Sequence, residues 1–107
     1  MRIIARRTLR EFVASRARHK DHSALKVAVD AWFDEVRRAS WANTSDVKRR
    51  YPTASIVTAE RIVFNIKGKD YRLVVSVDFE KGIVWIKWLG THRDYDRIDV
   101  TEIEYER

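Results

Sequence analysis

A change of hydrophobic period partway along the chain predicts an α+β fold. Between residues 9 and 39 apolar side chains recur three and four apart, the period of a helix; between residues 61 and 89 they recur two apart, the period of a strand. Two short glycine-containing turns, KGKD and FEKG, interrupt the second region, so three strands follow one another as an antiparallel meander. The predicted order is β-α-α-β-β-β, with two N-terminal helices packed on one face of an antiparallel sheet.

Each element has its own signal. Residues 2–5, RIIA, are short and apolar enough for one opening strand. Thr8-Leu9-Arg10-Glu11 fits a capping box, and Leu9, Phe12, Val13 and Ala17 then line one helical face. The second helix runs from about Ser23 to Ala39, with Leu25, Ala28, Val29, Trp32, Val36 and Ala39 inward and Lys26, Asp30, Asp34, Arg37 and Arg38 outward. Trp32 and Phe33 on this helix read as core anchors rather than as a base-stacking platform. WANTSDVKRRYP reads as a loop with one short helical turn, capped by Thr44 or Ser45 and closed by Pro52. RIVFNI then sets Ile62, Phe64 and Ile66 against Val63 and Asn65. YRLVVSVDF sets Tyr71, Leu73, Val75 and Val77 against Arg72, Val74 and Ser76. IVWIKWL is apolar on both faces apart from Lys87, and a short terminal element follows Arg97.

The bulk properties bound the function. A chain of 107 residues makes one domain, residues 1–107, with no repeat or linker to divide it. It carries no cysteine, which excludes disulfides, thiolate catalysis and cysteine-based zinc sites. No apolar stretch approaches the length of a membrane span, and MRIIARRTLREF lacks a secretory cleavage pattern, so a cytoplasmic protein with no membrane partner is expected. Residues 1–51 hold 13 Lys/Arg against 6 Asp/Glu, while residues 52–107 hold 9 against 10. Such a surplus suits a polyanionic partner or a solubilising surface equally well. Lys48-Arg49-Arg50 is a phosphate-contact candidate within it. The acidic end, DYDRIDVTEIEYER, either neutralises part of a basic cleft or is a solvated tail, the second being the simpler reading.

The densest chemistry follows the last strand, in GTHRDYD. His92 can exchange a proton near neutrality, and Tyr95 can hydrogen-bond, transfer a proton or stack on a base. Arginines such as Arg72 and Arg93 bind phosphate bidentately and stabilise charge developing on phosphorus. Arg72 and Lys87 lie inside otherwise apolar strands, where each either contacts phosphate or is a surface charge with its stem along the sheet. These are the parts that metal-free RNA cleavage requires, although the same residues also suit a charged surface loop. Other constellations fail. His19 and His22 straddle a helix break with no third ligand, Asp94 and Asp96 have no second carboxylate cluster, and no P-loop, GxGxxG or nucleophile elbow occurs.

The stretch from VKRRYPTA through RIVFNIKGKDYRLVVSVDFEKGIVWIKWLGTHRDYDRID resembles the HigB-type toxins of bacterial toxin–antitoxin pairs, members of the RelE-like superfamily. The YP after the helical turn, the VFNI…G…YRLVV hairpin and the THxxYD ending carry the likeness, over roughly residues 41–99. The resemblance implies a RelE-like fold and an endoribonuclease that cuts mRNA in the ribosome without a metal or other cofactor. It also implies a cognate helix-turn-helix antitoxin of the HigA type. Residue by residue, it implies that Arg72 faces the scissile phosphate and that His92 and Tyr95 share proton transfer and substrate orientation. Lys87, Arg93 and Lys67 are implied RNA contacts, Asn65 is a weaker one, and Asp96 orients His92 or closes the loop. The competing reading is a non-catalytic RNA- or ribosome-binding module. A protein-interaction domain docking its partner on an exposed sheet edge is the third.

Overall fold

The central strand explains the rest of the architecture. In the computed structural model, which describes residues 1–104, Tyr71–Asp78 (β4) lies between Arg61–Ile66 (β3) and Ile83–Thr91 (β5), antiparallel to both. Arg2–Ile4 (β1) adds to the far side of β5, and Ser55–Ile56 (β2) to the far side of β3, giving the order β1-β5-β4-β3-β2. The meander expected from the sequence is therefore present. The sheet is nevertheless mixed, because β1 runs parallel to β5. Three helices and three strands lie between β1 and β5, so the chain can return in the same direction, which a hairpin cannot do. Both edge strands are very short, three residues in β1 and two in β2.

Two helices, Arg6–Ser15 (α1) and His22–Arg38 (α2), cover one face. The alternation read from the sequence decides which face. Ile62, Phe64, Ile66, Tyr71, Leu73, Val75 and Val77 join Leu9, Leu25, Val29, Trp32 and Val36 in one buried core. Phe64 is its hub: Trp32 and Tyr51 meet its ring edge-on at centroid distances of 5.4 and 5.1 Å, and Trp41 stacks on it at 6.2 Å. Such ring pairs add about 0.5–1.5 kcal/mol each beyond the area they bury.

The caps differ from expectation. The proposed capping box fails because α1 begins two residues before Thr8, with Ala5 at the N-cap position and no side-chain cap. Thr8 is instead buried in the helix, and Glu11 pairs with Arg7 at 2.7 Å. Ala17 falls beyond the end of α1. The turn in WANTSDVKRRYP is a seven-residue helix, Thr44–Arg50 (α3), capped by Asn43 rather than by Thr44 or Ser45. Asn43 has extended backbone, and its side-chain oxygen accepts from the Asp46 amide at 3.0 Å. The GTHRDYD loop also contains a helix, His92–Tyr95 (α4), capped by the Thr91 hydroxyl. The terminal element expected after Arg97 is a turn followed by an irregular segment to residue 104, and the last three residues of the acidic end lie outside the described residues.

Replacing Phe64 by Ala removes the ring that three other aromatics share. Urea denaturation should show a loss of roughly 3–5 kcal/mol.

Candidate active site

The second face of the sheet is built by one irregularity. In the β4–β5 ladder Val75 pairs with Ile86 and Val74 with Trp88, so Lys87 is an extra residue bulged out of β5. Before the bulge Val84 and Ile86 face the helices; after it Leu89 does, and Trp88 and Gly90 come to the opposite face beside Val74 and Arg72. Val63 and Val74 are buried here too, outside the helix-covered core.

Arg72 occupies this face near the end of β4. Its Nη1 donates to the Asn65 side-chain oxygen across the β3–β4 pair, which fixes the guanidinium. The guanidinium carbon lies 5.8 Å from the centre of the Tyr95 ring. Tyr95 in turn leans on Trp88, ring centroids 6.3 Å apart. Gly90 permits this arrangement, because a Cβ at that position would come within 2.4 Å of the Trp88 ring. The Thr91 cap and a hydrogen bond of 3.0 Å from the His92 amide to the Asp70 carbonyl hold α4 at the mouth of the β3–β4 turn.

The structure thus brings Arg72 and Tyr95 together. His92 stands three residues before Tyr95 on α4, a spacing that shares a helix face. Its imidazole is half-exposed, with Nε2 3.8 Å from Asp96 Oδ1. Asp96 neighbours the imidazole at a distance too long for a hydrogen bond. Arg93 is exposed on the same short helix. Lys67 lies in the β3–β4 turn at this end of the sheet, but its ammonium is 2.7 Å from Asp70 and 3.6 Å from Asp21. The hydrogen bond to Asp70 holds Lys67 above the usual lysine range, and its charge is neutralised locally.

Lys87 is engaged as well. Its Nζ lies 3.0 Å from Glu104 Oε2, while Glu104 Oε1 lies 3.0 Å from Arg61 Nη2. Arg61 also donates to the carbonyls of Val100 and Ile103, tying residues 99–104 across this face. The acidic end is therefore tied to the sheet at residues 100, 103 and 104, while Glu102 and Glu104 keep much of their surface exposed. Partial burial pushes the Glu104 carboxyl up, but the Lys87 hydrogen bond and the charges of Lys87 and Arg61 outweigh it and hold the group below its usual range. A groove of about 820 Å³ runs between α1 and this segment, with Trp88 in its wall. Sequence reasoning missed Arg61, Glu104 and the placing of Trp88.

The basic triplet of α3 is absorbed by its own surroundings. Lys48 donates to the carbonyls of Pro52 and Ala54, Arg49 lies 3.5 Å from Asp46, and Arg50 lies 2.7 Å from Glu35. Among the described residues no group of three His, Asp or Glu side chains could hold a metal ion, and no helix is long and apolar enough to cross a membrane.

The helix-backed sheet is consistent with a RelE-like toxic component of a toxin–antitoxin system, the class described by the family model that matches residues 25–98. With that span covering most of its length, the chain belongs to the HigB_toxin family, and an antitoxin partner follows from the membership. No curated protein matches the chain. The matched span includes every candidate site residue from Lys67 to Tyr95 and ends before residues 99–104.

Gly90→Ala should drive the Trp88 ring off the strand and loosen its contact with Tyr95. Overpacking of this kind costs about 1–3 kcal/mol, to be read in thermal denaturation.

Proposed function

We propose that this toxin is a ribosome-dependent mRNA endoribonuclease that needs no metal and that acts on translated messages in the cytoplasm. The observation carrying the proposal is the meeting of the Arg72 guanidinium with the Tyr95 ring, one helical turn from a half-exposed His92. Family membership supports an endoribonuclease in general.

In this reading the ribose 2′-oxygen attacks the adjacent phosphorus while its proton passes to a base. The bond from phosphorus to the 5′-oxygen breaks, and an acid protonates the departing oxygen. Arg72, held by Asn65, faces the phosphate and stabilises the charge that gathers on its oxygens. His92 and Tyr95 divide proton transfer and substrate orientation between them, with Asp96 beside His92. Lys87 and Arg93 supply positive charge to the RNA backbone, and Lys67, held by Asp70 and Asp21, contributes least of the three. The cognate antitoxin is a HigA-type helix-turn-helix protein that silences this activity.

Induced expression without an antitoxin should arrest growth and create new 5′ ends within translated codons. His92→Ala and Tyr95→Ala should fold normally and cut about 10²–10⁴-fold more slowly, the usual range for losing a proton-transfer group. Arg72→Lys keeps the charge but not the fork, and should also slow cleavage. Variants that cut as fast as the wild type would place the chemistry elsewhere. A wild-type protein that binds ribosomes and leaves the message intact would make it a binding module instead.

A further inference from the structure

Three cations on the second face follow the direction of β4. Arg72 is at one end. The bulged Lys87 stands between the partners of Val74 and Val75, and Arg61 pairs with Ser76. Four residue steps lead from Arg72 to Ser76, about 13 Å at ~3.3 Å per residue. Arg61 and Lys87 come from the two strands that flank β4, yet they converge on a single carboxylate, one on each oxygen of Glu104 at 3.0 Å. Two cations gripping two oxygens of one planar anion is also how a phosphodiester's unesterified oxygens are held. Arg61 is 13% exposed and fixed by two backbone carbonyls, so half of this grip is preorganised. Glu104 is 58% exposed, so its carboxylate can leave towards solvent without opening the core.

We propose that Arg61 and Lys87 form a phosphate subsite for the RNA strand, and that Glu104 of the chain's own C-terminal segment fills it when RNA is absent. The inference rests on the endoribonuclease reading for its ligand, and it adds Arg61, a residue with no role in that chemistry. It also makes the acidic segment a competitor. RNA must displace Glu104, which weakens binding to any strand that does not engage the remaining contacts.

The test uses the full-length purified protein and a fluorescent, uncleavable 2′-O-methyl oligoribonucleotide, with binding followed by anisotropy over a range of salt. Glu104→Gln should tighten binding several-fold and steepen the slope of log affinity against log salt by about 0.7, the value for one further phosphate on a single strand. Glu102→Gln removes the same charge from an exposed neighbour without freeing either cation, and should give a much smaller gain. Lys87→Gln should weaken binding and cancel the effect of Glu104→Gln in the double variant. Arg61→Gln should do the same if circular dichroism shows it folded. Equal gains from Glu104→Gln and Glu102→Gln, or none from Glu104→Gln, would overturn the subsite. Because nothing is cleaved in this assay, the outcome stands apart from the toxicity experiment. A subsite that behaves as expected in a protein that cuts no message would sink only the endoribonuclease reading.

Discussion

One extra residue in β5 decides what the second face of the sheet presents. Side chains on a strand alternate strictly, so without the bulge at Lys87 the phase of Val84 and Ile86 would continue. Trp88 and Gly90 would then point into the helices, and Leu89 would point away from them. The bulge reverses the phase for the last part of the strand. Leu89 completes the core opposite Leu73, while Trp88 lies over Gly90 and supports Tyr95. The meeting of Tyr95 with Arg72 depends on this reversal, because α4 leaves directly from the end of that strand.

How much of this was legible depended on where polar residues punctuate the pattern. In RIVFNI and YRLVVSVDF the alternation is marked by Asn65, Arg72 and Ser76, and the helix-facing set follows residue by residue. In IVWIKWL both faces are apolar, so a phase change at Lys87 leaves no trace in the periodicity. The capping patterns show the same limit. Thr8-x-x-Glu11 and Thr91-x-x-Asp94 look alike in sequence, but only the second caps a helix. Thr8 is drawn into the interior by the packing of α1 against β5, a tertiary effect that no local pattern carries. Arg61 and Glu104 were invisible for another reason: they are 43 residues apart, and only the path of the chain after α4 joins them.

Charge is arranged differently from its distribution along the sequence. Part of the basic charge of the first half is paired with acids of the same half, as in Lys26 with Asp30, Arg37 and Arg38 with Asp34, and Arg50 with Glu35. The second half is nearly balanced by count, yet it holds the three cations that share a face with Tyr95. Counting charges by segment therefore draws the eye to residues 1–51 and away from the candidate site. What matters for a phosphate is whether a cation's partner is a fixed neighbour or a replaceable carboxylate, and that distinction exists only in three dimensions.

The brevity of the two edge strands bears on how this chain survives at high concentration. A sheet margin is a template on which another polypeptide can extend the ladder, and the hazard grows with the length of unpaired backbone. Here one margin ends in three residues and the other in two. The long, strongly apolar strands lie inside these two in the strand order, with β1 paired to β5 over Ile83–Trp85 and β2 paired to β3 over Ile62 and Val63. IVWIKWL taken alone is the kind of segment that promotes ordered self-association, and β1 shields its first three residues, Ile83 to Trp85.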